Sequence, residues 1–206
     1  ATTAYGCLNI FRGAKITISN FTLPLMSLKP TIDMEKQYEQ NPVIQNILQR
    51  KSVRSYADRP VEQEKVEVLL EAGMAAPSGK NAQPWDFIVI TRRDLLDEMA
   101  EKLPYAKMLK DAPVAIVVCA DRTKSPYWYV DCSAATQNIL LAAEALGLGA
   151  VWTATYPYRD RMDVVKELCG LPGSYDSLCI IPIGYPAREN KPKDKYDAGK
   201  IHRDVY

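Results

Sequence analysis

Three groups of residues carry the chemistry this 206-residue chain could perform. In Arg50-Lys51-Ser52-Val53-Arg54-Ser55-Tyr56, three cations, Arg50, Lys51 and Arg54, surround the hydroxyl of Ser52. A guanidinium fork beside a hydroxyl is the toolset for phosphate; the same residues also read as a solvated basic helix end that stabilises the helix dipole. In the stretch from Pro77 to Pro84, Ser78, Asn81 and Gln83 supply neutral donors and acceptors, while Gly79 relieves the backbone and the prolines stiffen both ends. Side-chain amides donate and accept at once, which suits a ligand rich in carbonyl and imide groups. An ordinary turn followed by Trp85 as core or pocket wall explains the same composition. The third group joins Gly147-Leu148-Gly149-Ala150-Val151-Trp152-Thr153-Ala154-Thr155-Tyr156 to a tail containing Lys200, His202 and Arg203. Its two glycines follow a helix and lead into a strand, the reverse of the dinucleotide-binding order. Lys200 and Arg203 could close a phosphate site from a distance, whereas a single histidine near a terminus is usually just exposed.

These groups need elements to position them. A short helix is expected over about 43–51, with Asn41 as its cap and Pro42 at its first position. The clearest helix spans Glu62 to Ala76, where Val66, Leu69, Leu70, Gly73 and Met74 form an apolar stripe and Pro77 ends it. WDFIVIT (85–91) and PVAIVVCA (113–120) read as strands buried in a sheet, separated by a charged amphipathic helix over 93–103. Residues 131–146, Ala-rich and apolar around most of the circumference, predict a helix inside the core or at a subunit interface, ended by Gly147 and Gly149. A third strand begins near Ala150, a helix follows at about 159–169, and SLCIIPIG (177–184) is another buried strand. After Pro186 the chain turns polar and proline-punctuated, as expected of a disordered tail or of an arm resting on another surface.

Composition bounds the rest. Lys plus Arg number 26 against 25 Asp plus Glu, so no global field draws the chain to nucleic acid or an anionic membrane. Any bound anion must meet a local cluster. Five cysteines without a CxxC pair, and one histidine, argue against a disulfide framework or a zinc site and suit the cytoplasm. No metal ligand set and no protein nucleophile with its base is apparent, and no apolar run is long enough to span a bilayer. Residues 1–40 are expected to lie outside the catalytic domain as an extension from an upstream start, with Met26 or Met34 as the natural first residue.

Taken together, RKSVRSY, APSGKNAQPWDF, GLGAVWTATY, IPIGYP and the KIHR tail occur in the order and rough spacing of the FMN-dependent nitroreductase family. The chain resembles that family over about residues 41–206, and the combination is specific even though each motif alone is weak. The resemblance implies an α+β fold, a three-layer sandwich with a central mixed, mostly antiparallel sheet flanked by helices. It also implies an intertwined homodimer with FMN at the subunit interface and a C-terminal arm at about 187–206. Arg50, Lys51 and Ser52 would hold the FMN phosphate and ribityl chain, and Arg54 would sit near the pyrimidine edge of the ring. Pro77, Ser78, Asn81 and Gln83 would line an FMN held mainly by the partner subunit. Trp152, Thr153, Ala154 and Thr155 would pass the reactive N5 edge, and Lys200, with His202 and Arg203, would serve the phosphate. The family often has arginine where Lys51 and Lys200 stand, and larger relatives carry an insertion over the substrate face that this chain lacks.

By the same resemblance the catalytic group is FMN rather than a side chain. NAD(P)H would deliver hydride and leave before a nitroaromatic, quinone or similar small-molecule acceptor arrives. Two other readings stand beside this one. A flavoenzyme of the same fold could dehalogenate, fragment flavin or oxidise heterocycles, and a non-catalytic flavin-binding protein would need no turnover at all.

Overall fold

The structure is a computed structural model that describes residues 40–206; the extension expected over 1–40 lies, apart from Gln40, outside the described residues. Helix α1 spans Pro42–Gln49. The Asn41 side chain caps it, accepting from the Val43 and Ile44 amides at 2.9 and 3.3 Å. It stops two residues before its expected end, so Arg50 and Lys51 belong to extended chain rather than to a helix terminus. Helix α2 (Gln63–Met74) buries Val66, Leu69 and Gly73 as its stripe predicts. Met74, read as part of that stripe, is instead exposed, because it lies in the last turn, where the chain departs for the loop.

Strand β1 (Trp85–Ile90) leads to helix α3 (Arg93–Lys102) and then to strand β2 (Val114–Asp121). Helix α4 (Trp128–Ala145) begins three residues before the apolar pattern suggests. Two-residue strands β3 (Gly149–Ala150) and β4 (Thr153–Ala154) precede helix α5 (Arg159–Cys169) and the long strand β5 (Tyr175–Gly184). Gly170 ends α5 in the left-handed conformation, φ 64°, that glycine adopts most easily.

The sheet runs β1-β2-β5-β3, with β4 also pairing with β5, and every one of these pairings is antiparallel. Among the described residues the parallel contribution is a single bridge between Ser52 and Ala150. Strand β2 is apolar and buried from Val114 to Ala120 because both of its faces are covered. Val114, Ile116, Val118 and Ala120 face a core built with Leu69 of α2 and Cys132, Ala135 and Ile139 of α4. Ala115, Val117 and Cys119 face the opposite core, with Leu96 and Met99 of α3 and Val165 of α5. The sandwich therefore has three layers, helices on each side of one sheet, as the resemblance implies. Beyond Pro186 the tail crosses the surface with one short 3-10 turn, Ala198–Lys200.

Candidate flavin site

The basic segment is a peg-and-display device. Residues 52–56 run alongside β3: Ser52 bridges Ala150, and the Val53 amide donates to the Ala150 carbonyl at 3.0 Å. An extended chain turns alternate side chains to opposite sides. Val53 points inward and is buried, while Ser52 and Arg54 on either side of it are exposed. Tyr56 is the second peg, its hydroxyl lying 2.9 Å from the Val53 carbonyl and 3.0 Å from the Pro182 carbonyl. Burial pushes this phenol well above its ordinary range, so it stays a neutral donor. Close approach to β3 depends on Gly149, where a Cβ would lie 2.6 Å from Val53 Cγ1.

The displayed residues meet the tail. Arg50, Lys51, Ser52 and Arg54 line a cavity of about 390 Å³ together with Asn190, Lys191, Lys193 and Lys195. Six cations and no carboxylate face this space. One is partly neutralised from behind, since Lys51 Nζ lies 2.6 Å from Glu144 Oε1 on α4. Arg50 and Arg54 make no ion pair among the described residues. Such a set has the chemistry to hold a dianionic phosphate: the guanidiniums supply forked donors and the lysines add compact charge. The serine hydroxyl and the Asn190 amide can satisfy remaining oxygens.

Arg54 also lines a second cavity of about 310 Å³ with Tyr105, Val151, Trp152, Thr153, Ala154 and Arg161. Two parts of the chain expected to serve one cofactor, Arg54 and the Trp152–Ala154 segment, are thus brought together. Thr155 is placed differently, buried with its hydroxyl donating to the Ser177 carbonyl and accepting from the Ser177 hydroxyl, both at 2.9 Å. Its side chain holds the segment to β5 and does not line the cavity.

The loop after α2 is anchored from below. Asp131, buried in α4, accepts from the Gly79 amide at 2.9 Å and from the Ser125 hydroxyl at 2.9 Å. The Ser78 hydroxyl accepts from the Gln83 amide at 3.0 Å. Lys80, Asn81 and Gln83 all have positive φ, at 53°, 55° and 44°, a conformation non-glycine residues adopt only where surrounding structure compels it. Asn81 and Gln83 are exposed, and neither they nor Pro77 and Ser78 line the two cationic cavities of their own chain. Trp85 is buried in the core, one of the two roles its position allowed.

The tail departs from expectation in detail. Lys200, His202 and Arg203 do not reach the basic cavity of this chain: Lys200 lies 3.8 Å from Asp197, and the His202 ring packs on Tyr206 at 4.2 Å. Lys191, Lys193 and Lys195 take that place. Their alternation in NKPKDK was a legible sign, since an extended, proline-stiffened chain presents residues i, i+2 and i+4 on one side. Arg161, Tyr105 and Asp131 were also missed. Of these three, only Asp131, an acidic residue among the buried positions of a largely apolar helix, stands out in the sequence.

The family model described as the Nitroreductase family matches residues 47–106 and 100–185. A protein of Methanothermobacter thermautotrophicus, described as a candidate NADH dehydrogenase/NAD(P)H nitroreductase, is 43% identical over 178 residues, 85% of this chain and 93% of the relative. A solved structure from Bacteroides thetaiotaomicron, described in the same way, is 58% identical with a TM-score of 0.80, covering 81% of this chain and 99% of that one. A third, from Desulfovibrio desulfuricans, is described as a candidate nitroreductase in complex with FMN; it is 35% identical with a TM-score of 0.70, covering 81% and 99%.

Proposed function

Because the chain belongs to the Nitroreductase family, we propose that it is an NAD(P)H-dependent FMN oxidoreductase that reduces nitroaromatics, quinones or related acceptors. The observation that carries this reading is the cation-lined cavity formed by Arg50, Lys51, Ser52 and Arg54 with the tail lysines. Its charge and its donor set suit the phosphate of FMN. FMN, once bound, supplies the hydride chemistry, accepting from the nicotinamide and donating to the second substrate. The chain's own residues bind and orient. Arg50, Lys51 and Ser52 hold the phosphate end, and Arg54 offers a cation where reduction adds negative charge to the ring. The Trp152–Ala154 segment forms the wall beside it. Pro77, Ser78, Asn81 and Gln83 serve a cofactor held by a second copy, as do Lys200, His202 and Arg203.

Support for the second copy comes from α1. Val43, Ile44, Ile47 and Leu48 are 65, 40, 46 and 64% exposed, and no residue of the helix is buried. A continuous apolar face of this kind marks a protein interface. We read residues 41–206 as one FMN-binding domain whose arm, 187–206, passes its own basic cavity through Lys195 and then reaches the partner in a homodimer. Among the described residues no helix is long and apolar enough to cross a membrane, and the free cysteines fit the reducing cytoplasm in which we place the enzyme.

The test is spectroscopic. The purified protein should carry stoichiometric FMN, bleach anaerobically with NADH or NADPH, and recover its colour on addition of a quinone or nitroaromatic. A colourless protein that cannot be reconstituted with FMN would refute the cofactor, and a yellow protein that neither nucleotide bleaches would refute the reductase.

A further inference from the structure

Strand β5 breaks its register beside the segment proposed to face the flavin. Across the sheet Val118 pairs with Cys179 but Cys119 pairs with Ser177, so Leu178 has no counterpart on β2. This is a β-bulge, which re-aims the backbone and is over-represented next to active sites. On its other edge β5 pairs regularly with β4, Thr153 with Ile180 and Ala154 with Cys179. At the bulge that ladder gives way to a hook: the Leu178 carbonyl accepts from the Thr155 amide at 3.0 Å and from the Tyr156 amide at 3.1 Å. Side chains close the hook. The Thr155 hydroxyl donates to the Ser177 carbonyl and accepts from the Ser177 hydroxyl, both at 2.9 Å, and both residues are buried. One residue earlier, buried Asp176 accepts from Arg159, the first residue of α5, at 3.2 Å. Residues 176–178 therefore hold the chain at both ends of the turn that leaves β4. Buried hydroxyls add little stability beyond apolar groups of the same shape, but a hydrogen bond fixes direction as well as distance. What these two direct is the adjoining wall, since Trp152, Thr153 and Ala154 line the cavity that also takes in Arg54.

We propose that Ser177, acting through the Thr155 hydroxyl beside the Leu178 bulge, is a positioning residue for hydride transfer. It sets where the Trp152–Ala154 wall stands against the flavin ring, and it touches neither cofactor nor substrate, being fully buried. This deepens the reductase reading and rests on it. Transfer between two rings depends steeply on their placement, and a shift of about 1 Å costs up to about a hundredfold.

The experiment compares the holoenzyme with Thr155→Val, which removes both hydroxyl bonds at nearly constant shape, Thr155→Ser, which keeps them, and Ser177→Ala, which removes one. Ile116→Val, a change in the core away from the hook, serves as a purely structural control. Stopped-flow absorbance gives the rate constant of flavin reduction at saturating NADH or NADPH, whichever reduces the wild type, and the visible spectrum of bound flavin reports its surroundings. Thr155→Val should reduce flavin about tenfold more slowly and shift the absorption maximum. Thr155→Ser should recover most of the rate, and Ser177→Ala should fall between. Ile116→Val should lower the melting temperature and leave rate and spectrum unchanged. If Thr155→Val does not fold, Ser177→Ala against Thr155→Ser carries the comparison. Rates within twofold of wild type in both Thr155→Val and Ser177→Ala overturn the proposal, as does a Thr155→Ser variant as slow as Thr155→Val. So does slowing of the same size in Ile116→Val, which would reduce the effect to lost stability. Failure of the reductase reading itself shows separately, as a wild-type protein that holds no flavin or is bleached by neither nucleotide.

Discussion

At the scale of single residues, the site separates groups that touch a ligand from groups that hold them. In the proposed reading Arg50 belongs to the first kind. Arg50→Ala should lose a charge-assisted phosphate contact of about 1.5–3 kcal/mol, read as a rise of tenfold or more in the FMN dissociation constant by fluorescence titration. Asp131 belongs to the second. Asp131→Ala leaves the Gly79 amide and the Ser125 hydroxyl without their acceptor, at a cost of about 1–3 kcal/mol. Urea unfolding should show that loss, and limited proteolysis should cut the 78–83 loop faster. The buried thiols take no part in the site. Burial pushes Cys119 and Cys179 up to about 12, far above their value in an unfolded chain. Their folded forms bind protons that the unfolded chain releases, so this stabilisation is complete below about pH 8.5 and declines as pH rises from there towards 12. The urea midpoint should therefore fall between pH 8 and pH 10, and Cys179→Ala should flatten that slope.

At the scale of elements, the contact between the basic segment and β3 decides whether the cations converge. Val53 packs where Gly149 has no side chain, and a methyl group there would stand 2.6 Å from Val53 Cγ1. Backbone hydrogen bonding fixes both neighbours, so neither can simply move aside. Gly149→Ala should cost about 1–3 kcal/mol through overpacking and weaken FMN binding by displacing Ser52 and Arg54. Adding Val53→Ala makes room and should restore part of both. FMN affinity unchanged in Gly149→Ala would show that the segment tolerates displacement. The sequence displayed the basic segment clearly but suggested a helix end, because three cations after a helix satisfy the dipole argument equally well. What distinguishes the two states is a strand partner almost a hundred residues away, which no local pattern reveals.

At the scale of the whole molecule, two features support the proposed second copy. One is the exposed apolar face of α1; the other is the 78–83 loop, held in an unfavourable backbone conformation yet lining neither cationic cavity of its own chain. Ile47→Glu and Leu48→Glu change residues on that face and disturb no core contact within the chain. Sedimentation velocity should show the mass of these variants halved, with FMN occupancy reduced in parallel. A dimer that persists in both variants would place the interface elsewhere.

The sequence by itself determined the layers and most of the elements. The 3.6-residue stripe of α2 and the unbroken apolar runs of β2 and β5 state which surfaces must be buried, and burial of apolar area is a property of composition along the chain. It also carried the family resemblance, through the order and spacing of motifs that are each weak alone. Only the tertiary structure decided which cations share a cavity. Lys191, Lys193 and Lys195 rather than Lys200 stand opposite Arg50, and Arg161 stands opposite Arg54. Electrostatic recognition depends on distance in space, and distance in space between remote segments is set by how the sheet pairs and where the tail crosses it.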